Sequence, residues 1–261
     1  MPETEAHVLW QALQFEGLIW LITAALLAGF VRGFSGFGSA LIFMPLAGQF
    51  LPPLWCVMTL VARDIFGPVP NLPRAYRDGR PMMILWMILG MGLALPLGLL
   101  VLGQMDTLLF RYLVSGIALS APLALIAGFR IRTAFLTPKV LFGAGVCGGF
   151  LGGISGMPGP PVIILHMASR LAPAIIRANK MINPFLFDLS LLLSMALSGD
   201  LVALPVVIGL VLLVPSMLGN IAGGYIFNPK KRHFIAGLLI SSHLLQLLAV
   251  CRSGIRRCLC S

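Results

Sequence analysis

The chain has 261 residues, of which 59% are hydrophobic and only 10% are charged, and its mean hydropathy is +0.99. A soluble domain carries about 25% charged residues, so this composition excludes a soluble globular protein. The formal net charge of +10 does not indicate a nucleic-acid partner, because most basic residues lie in short connections between apolar segments. We therefore expect an integral membrane protein whose immediate partners are membrane lipids.

The first 16 residues are predicted to form an N-terminal tail. They contain Glu3, Glu5 and Glu16 but no Lys or Arg, so they lack the basic region of a cleaved signal peptide. Apolar runs of membrane-helix character follow along the rest of the chain. They lie at 17–31, 37–51, 54–70, 81–102, 107–128, 139–151, 158–169, 181–198, 200–227 and 233–250.

Four of these runs are short and form two pairs, each joined by a glycine-rich stretch. Residues 29–36 read Gly-Phe-Val-Arg-Gly-Phe-Ser-Gly and residues 149–156 read Gly-Phe-Leu-Gly-Gly-Ile-Ser-Gly, which match at five of eight positions. A nearly equal shift aligns Arg111 with Arg232, so the chain is predicted to be a duplicated unit of about 120 residues. The predicted divisions are a first repeat at 17–128, a cytoplasmic linker at 129–138, a second repeat at 139–250 and a basic, cysteine-containing tail at 251–261.

Charge predicts how the two units are oriented. The connections at 71–80, 129–140, 170–180 and 228–232 hold 12 of the 18 basic residues and are expected to be cytoplasmic. Each unit then contributes a hairpin that enters and leaves the membrane on one side, followed by three helices that cross it. Because three is an odd number, the second unit begins on the opposite side of the membrane from the first, and the two units are inverted relative to each other. The predicted fold is an all-α integral membrane protein with two inverted-topology repeats, each a broken-helix hairpin plus three transmembrane helices. One observation disagrees with this scheme: it places the basic C-terminal tail outside, although basic residues favour the cytoplasmic side.

The hairpin tips are the predicted binding site. A bend inside the bilayer leaves backbone groups without helical partners, which is tolerated where they line a cavity. Free N–H groups, serine hydroxyls and a half-helix dipole would suit an anion. The predicted substrate-binding residues are Arg32, Gly33, Ser35, Gly36, Gly38, Gly153, Ser155, Gly156 and Gly159. For the glycines upstream of the tips, close helix packing is favoured over a binding role. Arg32 could instead reach an interface or pair with a carboxylate.

Three further ionisable residues lie inside apolar runs, where charge is costly. Arg63 and Asp64 point about 100° apart on a helix, so we expect them to pair with other segments rather than with each other. Asp188 is the candidate partner of Arg32 or Arg63, or a group that binds a coupling proton. A structural ion pair is favoured over proton coupling.

The two glycine-rich motifs resemble the paired signatures of the sulfite exporter TauE/SafE family. Gly-Phe-Ser-Gly-Phe-Gly at 33–38 followed by Pro45, and Gly-Gly-Ile-Ser-Gly-Met-Pro-Gly-Pro-Pro at 152–161, carry this resemblance. It implies a permease of small anions such as sulfite, organosulfonates or related carboxylates, driven by a gradient of protons or another cation. We expect it in a bacterial inner (plasma) membrane, where it could form a homodimer.

Two other function classes are weaker alternatives. An intramembrane enzyme would need a metal site or nucleophile, but there is no His-Glu-x-x-His motif and no Ser with a nearby Lys or His at recognisable spacing. The sequence accordingly predicts neither cofactor nor metal, and it contains no nucleotide-binding loop. A membrane assembly or anchoring subunit is the other alternative, since the glycine-rich helix faces would allow it.

Overall fold

The computed structural model describes residues 2–35, 38–67, 76–77, 79–126, 137–158, 162, 165 and 173–226. Throughout these residues the regular secondary structure is helical. The helices, numbered in chain order, are α1 (Pro2–Leu13), α2 (Leu18–Ser35), α3 (Ser39–Ala47), α4 (Pro53–Asp64), α5 (Pro81–Gly103), α6 (Thr107–Ile126), α7 (Pro138–Ser155), α8 (Pro173–Ser198) and α9 (Ala203–Ile226).

Proline and glycine set several helix boundaries. Pro53, Pro81 and Pro138 begin α4, α5 and α7, where the missing proline N–H has no helical partner to lose. Gly156 ends α7 in the left-handed conformation, and Gly38, at φ +90°, precedes α3. The predicted break of the first hairpin therefore lies between α2 and α3.

Three of the described helices are long and apolar enough to cross a membrane: Pro81–Gly103, Pro138–Ser155 and Ala203–Tyr225. The bent pair His7–Leu13 and Leu18–Gly33, with 79° between its parts, would make a fourth if it is one span. Helix α5 exposes a stripe of leucines at positions 85, 89, 93, 97 and 100, as a helix in contact with lipid does.

The third predicted run, 54–70, forms a shorter helix than expected. Helix α4 ends at Asp64. Its 12 residues span about 18 Å, which is shorter than a hydrocarbon core of about 30 Å. Most of the return segment at 158–169 and of the linker lies outside the described residues, as do the last run at 233–250 and the C-terminal tail.

Two helix pairs pack through glycine with their backbones in close contact. Along α2, Gly29 faces the backbone of Ser216 and Gly33 that of Asn220 on α9. Because the residue numbers of these contacts increase in the same direction along both helices, α2 and α9 run parallel. These upstream glycines therefore have the packing role that the sequence analysis favours.

Helices α5 and α7 form the second glycine pair. Gly149 on α7 faces the backbone of Met91, and Gly153 faces Leu95 and Gly98. The residue numbers of these contacts also increase in the same direction along both helices, so α5 and α7 run parallel.

Two short connections relate the directions of these pairs. Gly17, just before α2, contacts Phe50, just after α3, so α3 returns to the side where α2 begins. Arg111 near the start of α6 donates to the carbonyls of Gly48 and Gln49 on that same side. Because residues 104–106 join α5 directly to α6, α5 ends where α2 begins. Helices α2 and α9 thus run opposite to α5 and α7.

Candidate functional site

A cluster of charged side chains lies where α4 ends beside the break between α2 and α3. Asp64 is its centre: Oδ1 accepts a bond from Arg63 Nε at 3.0 Å and lies 3.3 Å from Arg32 Nη1, while Oδ2 accepts the Ser39 hydroxyl at 2.8 Å. Three elements that are separate in sequence therefore converge on one carboxylate.

The prediction that Arg63 and Asp64 pair with other segments rather than with each other was wrong. Adjacent helical positions do diverge by about 100°, but the long arginine side chain folds back along the last turn of α4. Its Nη2 lies 2.9 Å from Asp64 Oδ1 as well, although without the alignment of a hydrogen bond. Arg32, from another helix, joins the same carboxylate.

Arg63 is a buried cation whose donors are only partly used. The residue is 1% exposed, and its guanidinium lies over the Phe43 ring at 4.1 Å. Neither Nη1 nor Nη2 has a hydrogen-bond partner within the described part of the chain. A buried guanidinium with open donors is suited to a ligand that brings its own acceptor oxygens.

Asp188 on α8 faces this cluster without joining it. The prediction that it is the ion-pair partner of Arg32 or Arg63 was wrong, because Asp64 fills that position for both arginines. Asp188 is 7% exposed and interacts electrostatically with Asp64, Arg32 and Arg63. To the extent that the structure describes the chain, its carboxylate has no hydrogen bond and no ion pair.

Helix α3 has an opposite charge at each of its ends. Asp64 is held at its first residue, Ser39, and Arg111 binds the carbonyls of Gly48 and Gln49, just after its last residue. Both charges match the helix dipole, so this short helix is held in place electrostatically. The sequence analysis missed Ser39 and Arg111 as site residues. A lone polar residue after Gly38, and the alignment of Arg111 with Arg232, were the available signals.

The second tip has no charged side chain of its own. Gly153, Ser155 and Gly156 are buried, and the Ser155 hydroxyl donates to Leu151 O at 2.6 Å and accepts from Met157 N at 3.3 Å. A side chain at Gly156 would meet Met44 on α3, and Val57 and Leu60 on α4. The second tip therefore packs on the two helices that lead to the charged cluster, about one turn away from it.

The remaining predicted residues of the first tip are only partly described. Gly33 is packed against α9, and Gly38 provides the turn into α3. Ser35 is the last residue of α2, but its side chain is not among those described, and Gly36 and Gly159 lie outside the described residues. In the described residues, no three His, Cys, Asp or Glu side chains are grouped so that they could bind a metal.

Comparison with known families gives one match. The family described as Sulfite exporter TauE/SafE matches residues 21–247, which is most of the chain and includes both tips and the charged cluster. No curated protein and no solved structure matches the chain.

Proposed function

Because the chain belongs to the sulfite exporter TauE/SafE family, a family of membrane transporters and not of enzymes, we propose that it moves small sulfur-containing anions across a bacterial inner membrane. Sulfite and organosulfonates are the proposed substrates. The match supports the transporter class and removes the intramembrane-enzyme alternative. None of the observed contacts favours an anchoring subunit.

The observation that carries the proposed site is the buried Arg63 with its open Nη donors. Arg63 lies about 16 Å along α4 from its start, near the middle of the hydrocarbon core. Keeping a cation there is costly unless it has a function or full pairing. Arg32 and the first turn of α3 supply further positive potential, so we propose that the anion binds between Arg32, Arg63 and Ser39.

The glycine-rich tips are proposed to complete the site through their backbones. Gly33, Ser35, Gly36 and Gly38 would border it from the first tip. Gly153, Ser155, Gly156 and Gly159 would do so from the second, where the Ser155 hydroxyl is already bonded within its own turn. The contribution of the second tip is then shape and backbone polarity.

We propose that the two repeats are inverted and that the transporter works by alternating access between them. Support comes from contacts that occur twice with the partners exchanged. The first set consists of the contacts Gly29 with Ser216, Gly33 with Asn220, Ala62 with Gly209 and Thr59 with Pro205. The second set, in the same order, consists of Gly149 with Met91, Gly153 with Leu95, Ile182 with Ile84 and Asn179 with Arg80. In every case one partner shifts by 120 residues and the other by 125, as a two-fold axis between duplicated units requires.

Transport by the purified protein in liposomes tests the proposal. We expect saturable uptake of sulfite, methanesulfonate or sulfoacetate. Arg63→Gln should lower the initial rate by about tenfold or more, because a forked charged donor is lost. Arg63→Lys keeps the charge but loses the forked guanidinium, so its initial rate should lie between those of Arg63→Gln and the unaltered protein.

The matched control is Arg77→Gln, which removes an exposed arginine. It should transport like the unaltered protein. If correctly folded protein moves none of the three anions, the proposed function is wrong. If Arg63→Gln transports as fast as Arg77→Gln, the proposed site is wrong.

A further inference from the structure

Asp188 is a buried carboxylate that the anion site does not explain. Its residue is 7% exposed, and among the described residues it has neither a hydrogen bond nor an ion pair. The charged groups that face it are Arg63 and Asp64 on α4 and Arg32 on α2. Helix α5, which also packs against α8, has no ionisable side chain. On α8 itself, the nearest ionisable residue in sequence is Lys180.

The charges of this group balance when the site is empty. Among the described residues, two guanidiniums, Arg32 and Arg63, face two carboxylates, Asp64 and Asp188, so this group of four is neutral when all are ionised. A bound monovalent anion would leave one uncompensated negative charge in a poorly solvated region, which is unfavourable. One proton taken up with each negative charge restores neutrality.

The two carboxylates differ in how readily they can accept that proton. Asp64 is held by two arginines and the Ser39 hydroxyl, and these partners all favour its ionised form. Within the described part of the chain, Asp188 has no such partner. The carboxylate that can accept the proton is therefore Asp188 on α8, which interacts electrostatically with Arg63.

We propose that Asp188 binds one proton together with each monovalent anion that binds at Arg63, so that the protein moves the anion and the proton as a neutral unit. The proton passes from water on the loading side to a carboxylate oxygen of Asp188, and it returns to water on the other side when the anion leaves. No other bond forms or breaks. This inference rests on the proposed function and adds the coupling ion to it.

The charge moved by the wild-type protein tests the inference without any variant. In liposomes, the faster-moving of methanesulfonate and hydrogen sulfite, which are both monovalent, is followed under an imposed pH difference or an imposed membrane potential. A potential of about 100 mV would change the accumulation of a free monovalent anion by about 50-fold, whereas a neutral unit should not respond. A difference of one pH unit should give about tenfold accumulation for each proton moved. Accumulation that follows the potential and ignores the pH difference would overturn the proposal.

The variant Asp188→Asn tests the residue. Net uptake driven by the pH difference should fall about tenfold or more, whereas exchange of labelled for unlabelled anion should stay within about twofold, because exchange needs no net proton movement. The control is Asp200→Asn, an exposed carboxylate just beyond the end of the same helix, which should keep both activities.

The outcomes separate the two proposals. If Asp188→Asn keeps proton-driven uptake, or loses exchange as fully as uptake while still folded, Asp188 is not the coupling group. If the wild-type protein shows neither uptake nor exchange of any of the three anions, the proposed function itself fails.

Discussion

At the scale of single residues, Asp64 occupies the place where we propose that the anion binds. Its carboxylate uses the Nε of Arg63 and a terminal nitrogen of Arg32, the same kinds of donor that a sulfite or sulfonate oxygen would use. In this proposal, substrate and Asp64 compete for the two arginines. This competition would keep the empty site stable and prevent the bound anion from being held too tightly.

We predict that Asp64→Asn binds anions more tightly than the unaltered protein. Removing the competing negative charge should lower the Kd for sulfite by about tenfold, and it should slow turnover because release becomes harder. Calorimetric titration of the purified protein with sulfite measures the first effect. Asp106→Asn, at an exposed position before α6, is the control. Weaker binding by Asp64→Asn would show that Asp64 supports the site rather than competes in it.

The sequence indicated which charged residues to consider, but it did not predict how they pair. Charge within apolar runs singled out Arg32, Arg63, Asp64 and Asp188 as candidates for a site or a structural ion pair. Their pairing could not be read, because it depends on how long side chains fold across a helix end and on which helices meet there. The angle between adjacent helical positions predicts where Cβ atoms point, but it does not limit where a guanidinium ends.

At the scale of helices, the two parallel glycine pairs bring the repeats together. Gly29 on α2 and Gly149 on α7 each face backbone atoms of the partner helix, which cannot move aside as a side chain can. These contacts fix the separation of α2 from α9 and of α7 from α5. They also position Arg32 and both tips.

We predict that Gly29→Ala and Gly149→Ala each destabilise the protein, by about 1–3 kcal/mol, because the added methyl group forces the packed backbones apart. Thermal unfolding in detergent should show a lower Tm for both. Gly92→Ala and Gly143→Ala are matched controls on α5 and α7, since an added Cβ there meets nothing within 4 Å. Equal Tm values for all four variants would contradict the close packing.

The break between α2 and α3 and the boundaries at prolines could be predicted from residue type alone, because glycine and proline act locally. The length of α4 could not be predicted in this way. The apolar run continues to residue 70, but the helix ends at Asp64, where its carboxylate is bound by groups from α2 and α3. Those are tertiary contacts, and hydropathy does not record them.

At the scale of the whole molecule, the account depends on two units that are related by a two-fold axis and enter the membrane from opposite sides. The repeated motif predicted the duplication, and the odd number of crossings predicted the inversion. The sequence did not predict the exchange of partners, in which the first helix of each unit packs against a helix of the other. That arrangement places close backbone contacts between the two proposed units.

Side-specific cysteine labelling tests this arrangement most directly. In a variant with the five native cysteines replaced by alanine, single cysteines are placed at Gln14 before α2, at Leu201 before α9 and at Thr137 before α7, all exposed positions. A membrane-impermeant maleimide should label the Gln14→Cys and Leu201→Cys variants from one side of the membrane and the Thr137→Cys variant only from the other. Labelling of Gln14→Cys and Thr137→Cys from the same side would contradict the inverted repeats and the alternating-access mechanism that depends on them.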